Sequence, residues 1–256
     1  MKTPENVSLK DWLSEKLTSP GLPPNIHIHT ERPGARTAIW NALKLTIANH
    51  YHSLDLIKSI EATGEFSYAL EKVRTALPQT KRVRSGDLAE ILATEYVTQF
   101  TQYTIPIRKL RYKDDRNLAM RGDDIIAIVI SPQGSPLKVL KGEVKSKKSI
   151  AQSVVKTACT ALEKHDGRPN PASLSFVARR LDETNNDSMA RIFNSLQEKP
   201  PLLKNIEHLI FTLSENDPLT ALTPHAAPAK NNITRKLVGF RVTNHQSLIE
   251  DIFSSL

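Results

Sequence analysis

The stretch from Arg121 to Lys148, RGDDIIAIVISPQGSPLKVLKGEVKSKK, constrains the fold more than any other. Two apolar runs flank a cluster of Pro132, Gly134 and Pro136, which is a turn signal, so the segment predicts two adjacent strands joined by a short connection. Successive strand residues point to opposite faces. Glu143 and Lys145 therefore share one face, roughly 6 to 7 Å apart along it, and Val144 points to the other. Asp124, at the start of the partner strand, comes alongside them. Such a hairpin, with acids gathered at one end, predicts a metal-dependent nuclease site.

With 256 residues, of which 39% are hydrophobic and 24% charged, the chain has material for one large soluble domain or two small ones. Its 35 Lys and Arg outnumber 27 Asp and Glu, and a net charge of +8 favours polyanionic partners such as nucleic acid. Cys159 is the single cysteine, which excludes an intramolecular disulfide and argues against a Cys-based zinc site; a reducing, cytoplasmic location is expected. The segment MKTPENVSLKDW lacks the apolar region of a signal peptide. Ile125 to Ile130, the longest apolar run, is too short to cross a bilayer as a helix, so no membrane partner is expected.

Residues 1–80 read as an irregular and helical N-terminal extension. Pro20, Pro23 and Pro24 break the first part, and Asn25 to Thr30 alternates as one strand. His27 and His29 alternate there with Ile26 and Ile28, and are expected as exposed polar residues rather than paired metal ligands. From Ala35 to Ala76 apolar residues recur at helical spacing, with Ser53 as an N-cap, Gly64 as a breaker, and His50 and His52 as solvent-contacting loop residues.

Residues 81–256 carry the second expected domain. The basic cluster KRVR, Lys81 to Arg84, precedes a helix capped by Ser85, with Asp87 near its N-terminus and Leu88, Ile91, Leu92, Tyr96 and Phe100 on its apolar side. Glu90 lies in its first turns, and taken alone reads as a solvated side chain. Tyr103 to Lys113 is expected as a strand with a basic stripe at Arg108, Lys109 and Arg111, serving either a phosphate backbone or solvent. Asp114 and Asp115 read as turn residues. After the hairpin, Ser149 is expected to cap a helix running to Glu163, and Lys145, Lys147 and Lys148 crowd its start, where a bound phosphate would offset their repulsion by the helix dipole. For Lys147 and Lys148 plain surface lysines are the simpler reading. A helical insertion near 169–200, strands at Ile206–Leu213 and Lys236–Thr243 separated by a mobile Pro-, Ala- and Asn-rich loop, and a final helix from His245 complete the expectation.

The resulting order of helix, three strands, helix and strand predicts an α/β sheet covered on both sides. Phosphodiester hydrolysis needs an activated water, neutralisation of transition-state charge and support for the leaving oxygen. Asp124 and Glu143 offer hard oxygen ligands for Mg²⁺, Glu90 a further ligand or a hold on water, and Lys145 a group to orient the attacking water and stabilise negative charge. Asp followed after a gap by Glu-x-Lys is a weak pattern by itself; its position at the ends of apolar strands strengthens it. A noncatalytic nucleic-acid-binding domain is the alternative.

Four segments, RSGDLAE (Arg84 to Glu90), IPIRKLRY (Ile105 to Tyr112), MRGDDII (Met120 to Ile126) and KGEVKSKKS (Lys141 to Ser149), together resemble the nuclease subunit family of the Hachiman anti-phage defence system. That family falls in the wider PD-(D/E)xK nuclease group. The resemblance implies a restriction-endonuclease-like core, a mixed sheet flanked by helices, and a metal-dependent DNA endonuclease effector that uses a metal-activated water. It assigns the helix acid to Glu90, the strand acid to Asp124 and the Glu-x-Lys to Glu143 and Lys145. Asp124, Glu143 and the Val144 carbonyl would hold Mg²⁺, or Mn²⁺ in its place, with Glu90 or Asp123 as a further ligand. DNA would meet Lys81, Arg82, Arg84, Arg108, Lys109, Arg111, Lys147 and Lys148, and the partner would be a helicase subunit of the same system. Asp123 stands where the group's name has proline, which makes it a rival to Asp124. The alternative within this resemblance is a noncatalytic DNA-binding or helicase-binding adaptor.

Overall fold

A computed structural model describes residues 6–16 and 23–256; Pro20, expected within the irregular N-terminal segment, lies outside the described residues. In chain order the elements are α1 (Leu9–Trp12), β1 (Leu13–Lys16), β2 (Ile26–Glu31), α2 (Ala35–Tyr51), α3 (Leu54–Ala62), α4 (Phe66–Ala76), α5 (Lys81–Phe100), β3 (Ile125–Ile130), β4 (Pro136–Ser146), α6 (Gln152–Leu162), α7 (Pro171–Glu183), α8 (Asp187–Glu198), β5 (Ile206–Ser214), α9 (Leu219–Leu222), β6 (Thr234–Arg241) and α10 (His245–Ser254). Among the described residues, no helix is long and apolar enough to cross a membrane.

The six strands form one mixed sheet in the order β1-β2-β6-β5-β4-β3. At one edge β3 and β4 are the expected antiparallel hairpin; β4, β5, β6 and β2 then run parallel, and β1 closes the other edge antiparallel to β2. The central strands are buried on both faces, which is why IEHLIFTLS of β5 reads as a nearly unbroken apolar run. Leu140, Val144, Phe211 and Phe240 face α1, α2, α5 and α10. On the opposite face Ile26, Ile210 and Leu237 meet α6 and α9, while Ile126, Ile128 and Val139 meet α7 and α8.

Several expectations change in the structure. KRVR is not a segment before the helix but its first turn, because Thr80, whose hydroxyl accepts from the Val83 N–H, is the N-cap in place of Ser85. The helix expected from Ser149 begins at Gln152. Tyr103 to Lys113 is no strand: Thr104 and Ile128 exchange their backbone hydrogen bonds, after which Lys109–Tyr112 turns into a 3₁₀ helix. Pro106 has no N–H for a ladder, and the basic side chains find partners on helices instead. Arg108 lies 3.6 Å from Glu95, Arg111 donates to the Asn49 carbonyl at 2.8 Å, and Lys113 donates to Asp87 at 2.8 Å.

Burial also corrects the histidines. His29 is buried among Tyr96, Phe100 and Phe240, whereas His27 is partly exposed beside Glu15. His50 belongs to the last turn of α2 and pairs with Glu95 at 3.0 Å, both side chains only 2% exposed. Between β5 and β6 the Pro-, Ala- and Asn-rich loop contains α9 and two 3₁₀ turns. The expected boundary at residue 80 falls between α4 and α5, yet β2, from before that boundary, pairs with β6.

Glu31 secures this union. Its carboxylate accepts from Trp12 Nε1 (2.8 Å), Arg36 Nε (2.7 Å) and Nη2 (2.6 Å), and the Thr243 N–H (2.8 Å), joining α1, β2, α2 and the turn after β6. Burial alone would push its pKa up, but the hydrogen bonds from Arg36, Thr243 and Trp12 outweigh burial and hold it below the ordinary value of 4.5. Its stabilisation is therefore fully present above pH 4.5 and is lost as pH falls through the lower folded value. Glu31→Gln should cost about 3 kcal/mol at pH 7 in chemical denaturation, since it removes the carboxylate that pairs with Arg36 and leaves that cation only its Thr243 partners, and the gap from wild type should narrow in acid. A gap that is constant with pH would contradict this role.

Candidate functional site

The end of the hairpin is built by two close backbone approaches. Gly122 has a φ of +94°, and a Cβ there would lie 2.3 Å from Ser173 Oγ, the atom that accepts the Asp123 N–H at 2.9 Å. Gly142 sits opposite Ile125, whose Cβ would be 2.7 Å from an added methyl. These contacts seat Asp123 and Asp124, before β3, beside Glu143 in β4.

The two neighbouring aspartates have different jobs. Asp123 Oδ2 accepts the Asn170 N–H at 2.7 Å and Oδ1 lies 3.8 Å from Lys141 Nζ, so Asp123 fastens the start of α7 to the sheet. Lys141 is itself buried and donates to the carbonyls of Leu162 (3.0 Å), Lys164 (2.9 Å) and Arg168 (2.8 Å). Asp124 uses Oδ2 to accept the Val144 N–H at 2.8 Å, which leaves Oδ1 for a ligand. Asp124 also lies close enough to Glu90 and Glu143 for its charge to act on both.

Glu90 reaches this group from α5 and is not a solvated side chain, being only 14% exposed. Burial pushes its pKa up to about 8; the charges of Asp124 and Asp87 push the same way, and Lys109 opposes them. Burial also raises Asp124, against the charge of Lys109 and the Val144 N–H, and raises Glu143, with Asp124 adding to the effect and Lys145 opposing it. Lys109 Nζ donates to the Asp123 carbonyl at 2.9 Å and lies 3.8 Å from Glu90 Oε2. Lys145 Nζ hydrogen-bonds Glu143 Oε1. Two lysines thus stand beside three carboxyl groups that burial shifts toward their protonated forms, and they only partly offset that shift.

Glu90, Lys109, Asp123 and Asp124 line a cavity of about 840 Å³ between the segment 105–126 and α7, while Glu143 and Lys145 lie outside its lining. Among the described residues, no three acidic, histidine or cysteine side chains stand close enough together to hold a metal unaided. The donor set nonetheless suits Mg²⁺, which takes hard oxygens, few protein ligands and several waters. The expected DNA-contacting residues divide. Lys81, Arg82, Lys147 and Lys148 are exposed, Lys81 lying 3.8 Å from Glu250. Arg84 donates to the Pro78 carbonyl at 2.8 Å and lies over the Phe253 ring, and Arg108, Lys109 and Arg111 are committed to intrachain partners.

Sequence reasoning overlooked Lys113 and Asp87, a nearly buried pair completed by the Tyr51 hydroxyl, which donates to Asp87 at 2.7 Å. The signal was the matching spacing of Asp87 and Glu90 on α5 against Lys113 and Lys109. It also overlooked Ser146, which receives the Ser85 hydroxyl at 2.8 Å and lies 2.9 Å from His245 Nε2, tying the strand end to α5 and α10.

The model of the HamA family matches residues 6–256. The chain is also similar to the Hachiman protein HamA of Bacillus cereus, with 30% identity over 138 residues, 54% of this chain and 48% of that protein. The chain spans about half the length of the curated relative it matches.

Glu90 gives the site a pH signature. Between the ordinary glutamate value of 4.5 and about 8 the folded state keeps a proton that the unfolded state has released, so stability falls as pH rises through that window. Glu90→Gln should flatten that fall and Lys109→Met should extend it to higher pH, as read by urea denaturation across the range. Slopes equal to wild type in both variants would refute this electrostatic account.

Proposed function

This chain belongs to the HamA family, and from that premise we propose that it is a metal-dependent DNA endonuclease of the Hachiman anti-phage defence system, acting beside a helicase subunit. The observation that carries the proposal is the position of Asp124 at the end of the β3–β4 hairpin, its charge acting both on Glu90, which lies beside Lys109, and on Glu143, which lies beside Lys145. The order α5, β3, β4, α6, β5 also supports a restriction-endonuclease-like core of the PD-(D/E)xK kind, with the expected third strand reduced to the Thr104–Ile128 bridge.

On this reading Asp124, Glu143 and the Val144 carbonyl would hold Mg²⁺ or Mn²⁺. When bound, the ion supplies positive charge to the attacked phosphate and eases deprotonation of the attacking water. The protein does the rest. Asp124, anchored by the Val144 N–H, fixes the spacing of the two strands. Lys145, hydrogen-bonded to Glu143, would orient the attacking water and stabilise the developing charge. Glu90, which keeps its proton until pH nears 8, would donate a hydrogen bond or a proton toward the reacting phosphate. Lys109 balances the charge of Glu90 and Asp124. Arg108, Lys109 and Arg111, the phosphate contacts expected on either reading, are engaged within the chain.

With supercoiled plasmid, the protein, alone or with its helicase subunit, should nick DNA in Mg²⁺ or Mn²⁺ and not in chelator. Asp124→Asn, Glu143→Gln and Lys145→Ala should each lower the rate about a hundredfold or more without lowering the melting temperature. Absence of metal-dependent cleavage in both preparations refutes the nuclease reading. Full activity in Asp124→Asn with loss in a folded Asp123→Asn would reverse the ligand assignment. Independently of turnover, Mg²⁺ should raise the melting temperature more at pH 8 than at pH 6, because the carboxyl groups must lose their protons to bind it.

A further inference from the structure

The cavity that reaches Glu90 and Asp124 changes character between the Lys109–Tyr112 turn and α7. Tyr112 and Phe176 meet there edge to face, with ring centroids 6.0 Å apart at 85°. The Arg180 guanidinium lies 4.9 Å from the Tyr112 centroid and 5.3 Å from that of Phe176. All three side chains are partly exposed and line the same cavity. Arg180 pairs with Glu183 through Nη1, while its buried Nε has no hydrogen-bond partner. Arg121 and Arg179 also line the cavity; both are exposed and carry no ion pair among the described residues. Exposed Asp114 and Asp115 disfavour phosphate beside them, which leaves these two arginines to receive it.

Ring and guanidinium faces recognise the flat face of a base. In a duplex those faces are stacked away and only the edges reach the grooves. A volume of about 840 Å³ has room for a nucleotide-sized group. We propose that this cleft binds single-stranded DNA, with an unpaired base against Tyr112, Phe176 and Arg180 and the adjoining phosphates led past Arg121 and Arg179 to Asp124. The assignment rests on reading the nearby carboxylates as a phosphodiester-cleaving site, and it names that site's substrate as an unpaired strand.

Fluorescence anisotropy with Ca²⁺ in place of Mg²⁺ separates binding from cleavage. A short labelled oligothymidine should bind at least about tenfold more tightly than its duplex with oligoadenosine, and than the same strand carrying abasic positions. Phe176→Leu and Arg180→Gln should each weaken single-strand binding about tenfold while duplex binding stays unchanged. Equal or tighter duplex binding, indifference to abasic positions, or wild-type affinity in variants with wild-type melting temperature overturns the proposal. Should Phe176→Leu unfold, Arg180→Gln, at a partly exposed side chain, decides. Plasmid cleavage without single-strand preference would remove this inference and leave the nuclease reading. Base-dependent single-strand binding without metal-dependent cleavage would remove the nuclease reading and leave the strand-binding site.

Discussion

Carboxyl groups that share a poorly solvated corner repel one another, and the arrangement at the hairpin end depends on offsetting that repulsion. Asp124, Glu143 and Glu90 are all pushed toward their protonated forms by burial, and Asp124 acts on each of the other two. Lys109 and Lys145 oppose this from two sides. Such groups are costly to ionise and are kept only where something else demands them. Neighbouring pairs carry the tension outward: Lys113 neutralises Asp87 one helical turn before Glu90, and Lys141 meets Asp123 while gathering three carbonyls at the end of α6. Of the lysines expected to contact DNA, Lys109 thus serves the acids first, whereas Lys81, Lys147 and Lys148 stay exposed.

The hairpin was legible because its signals are local. Apolar runs, a proline and glycine turn, and two-residue alternation in Glu143 and Lys145 need no knowledge of distant chain. The choice between Asp123 and Asp124 was not legible in the same way, since alternation past the end of a strand says nothing of Asn170 and Lys141, which occupy Asp123. Glu90 appeared as a surface glutamate for the same reason. The segment 103–113 misled by composition: alternating basic and apolar residues mimic a strand, but Pro106 lacks a donor and the cations have carboxylate and carbonyl partners on α2 and α5. His29 and His50 show the reverse error, polar residues whose burial is decided by rings and acids far off in sequence.

The sheet also joins parts that sequence reading kept separate. Residues before 80 look like an appendage because their helices dominate the pattern, yet β2 lies next to β6 and Val7, Leu9 and Trp12 enter the same core as α5. Helix α5 therefore rests on N-terminal residues on one flank and presents Glu90 on another. Displacing α2 would loosen Tyr51 from Asp87 and Asn49 from Arg111, and through them the turn that carries Lys109.

Glu31 and Thr243, bonded at 2.8 Å, are 212 residues apart in the chain. During synthesis the hairpin with its acids leaves the ribosome well before β6 exists to pair with β2, so the sheet stays open at its centre until residue 243 has been made. Closure of so long a loop is slow compared with local helix and hairpin formation. A chain of this topology passes through a period in which its acids are present but their scaffold is not, and its time of ripening is set by the last strand rather than by the residues of the site.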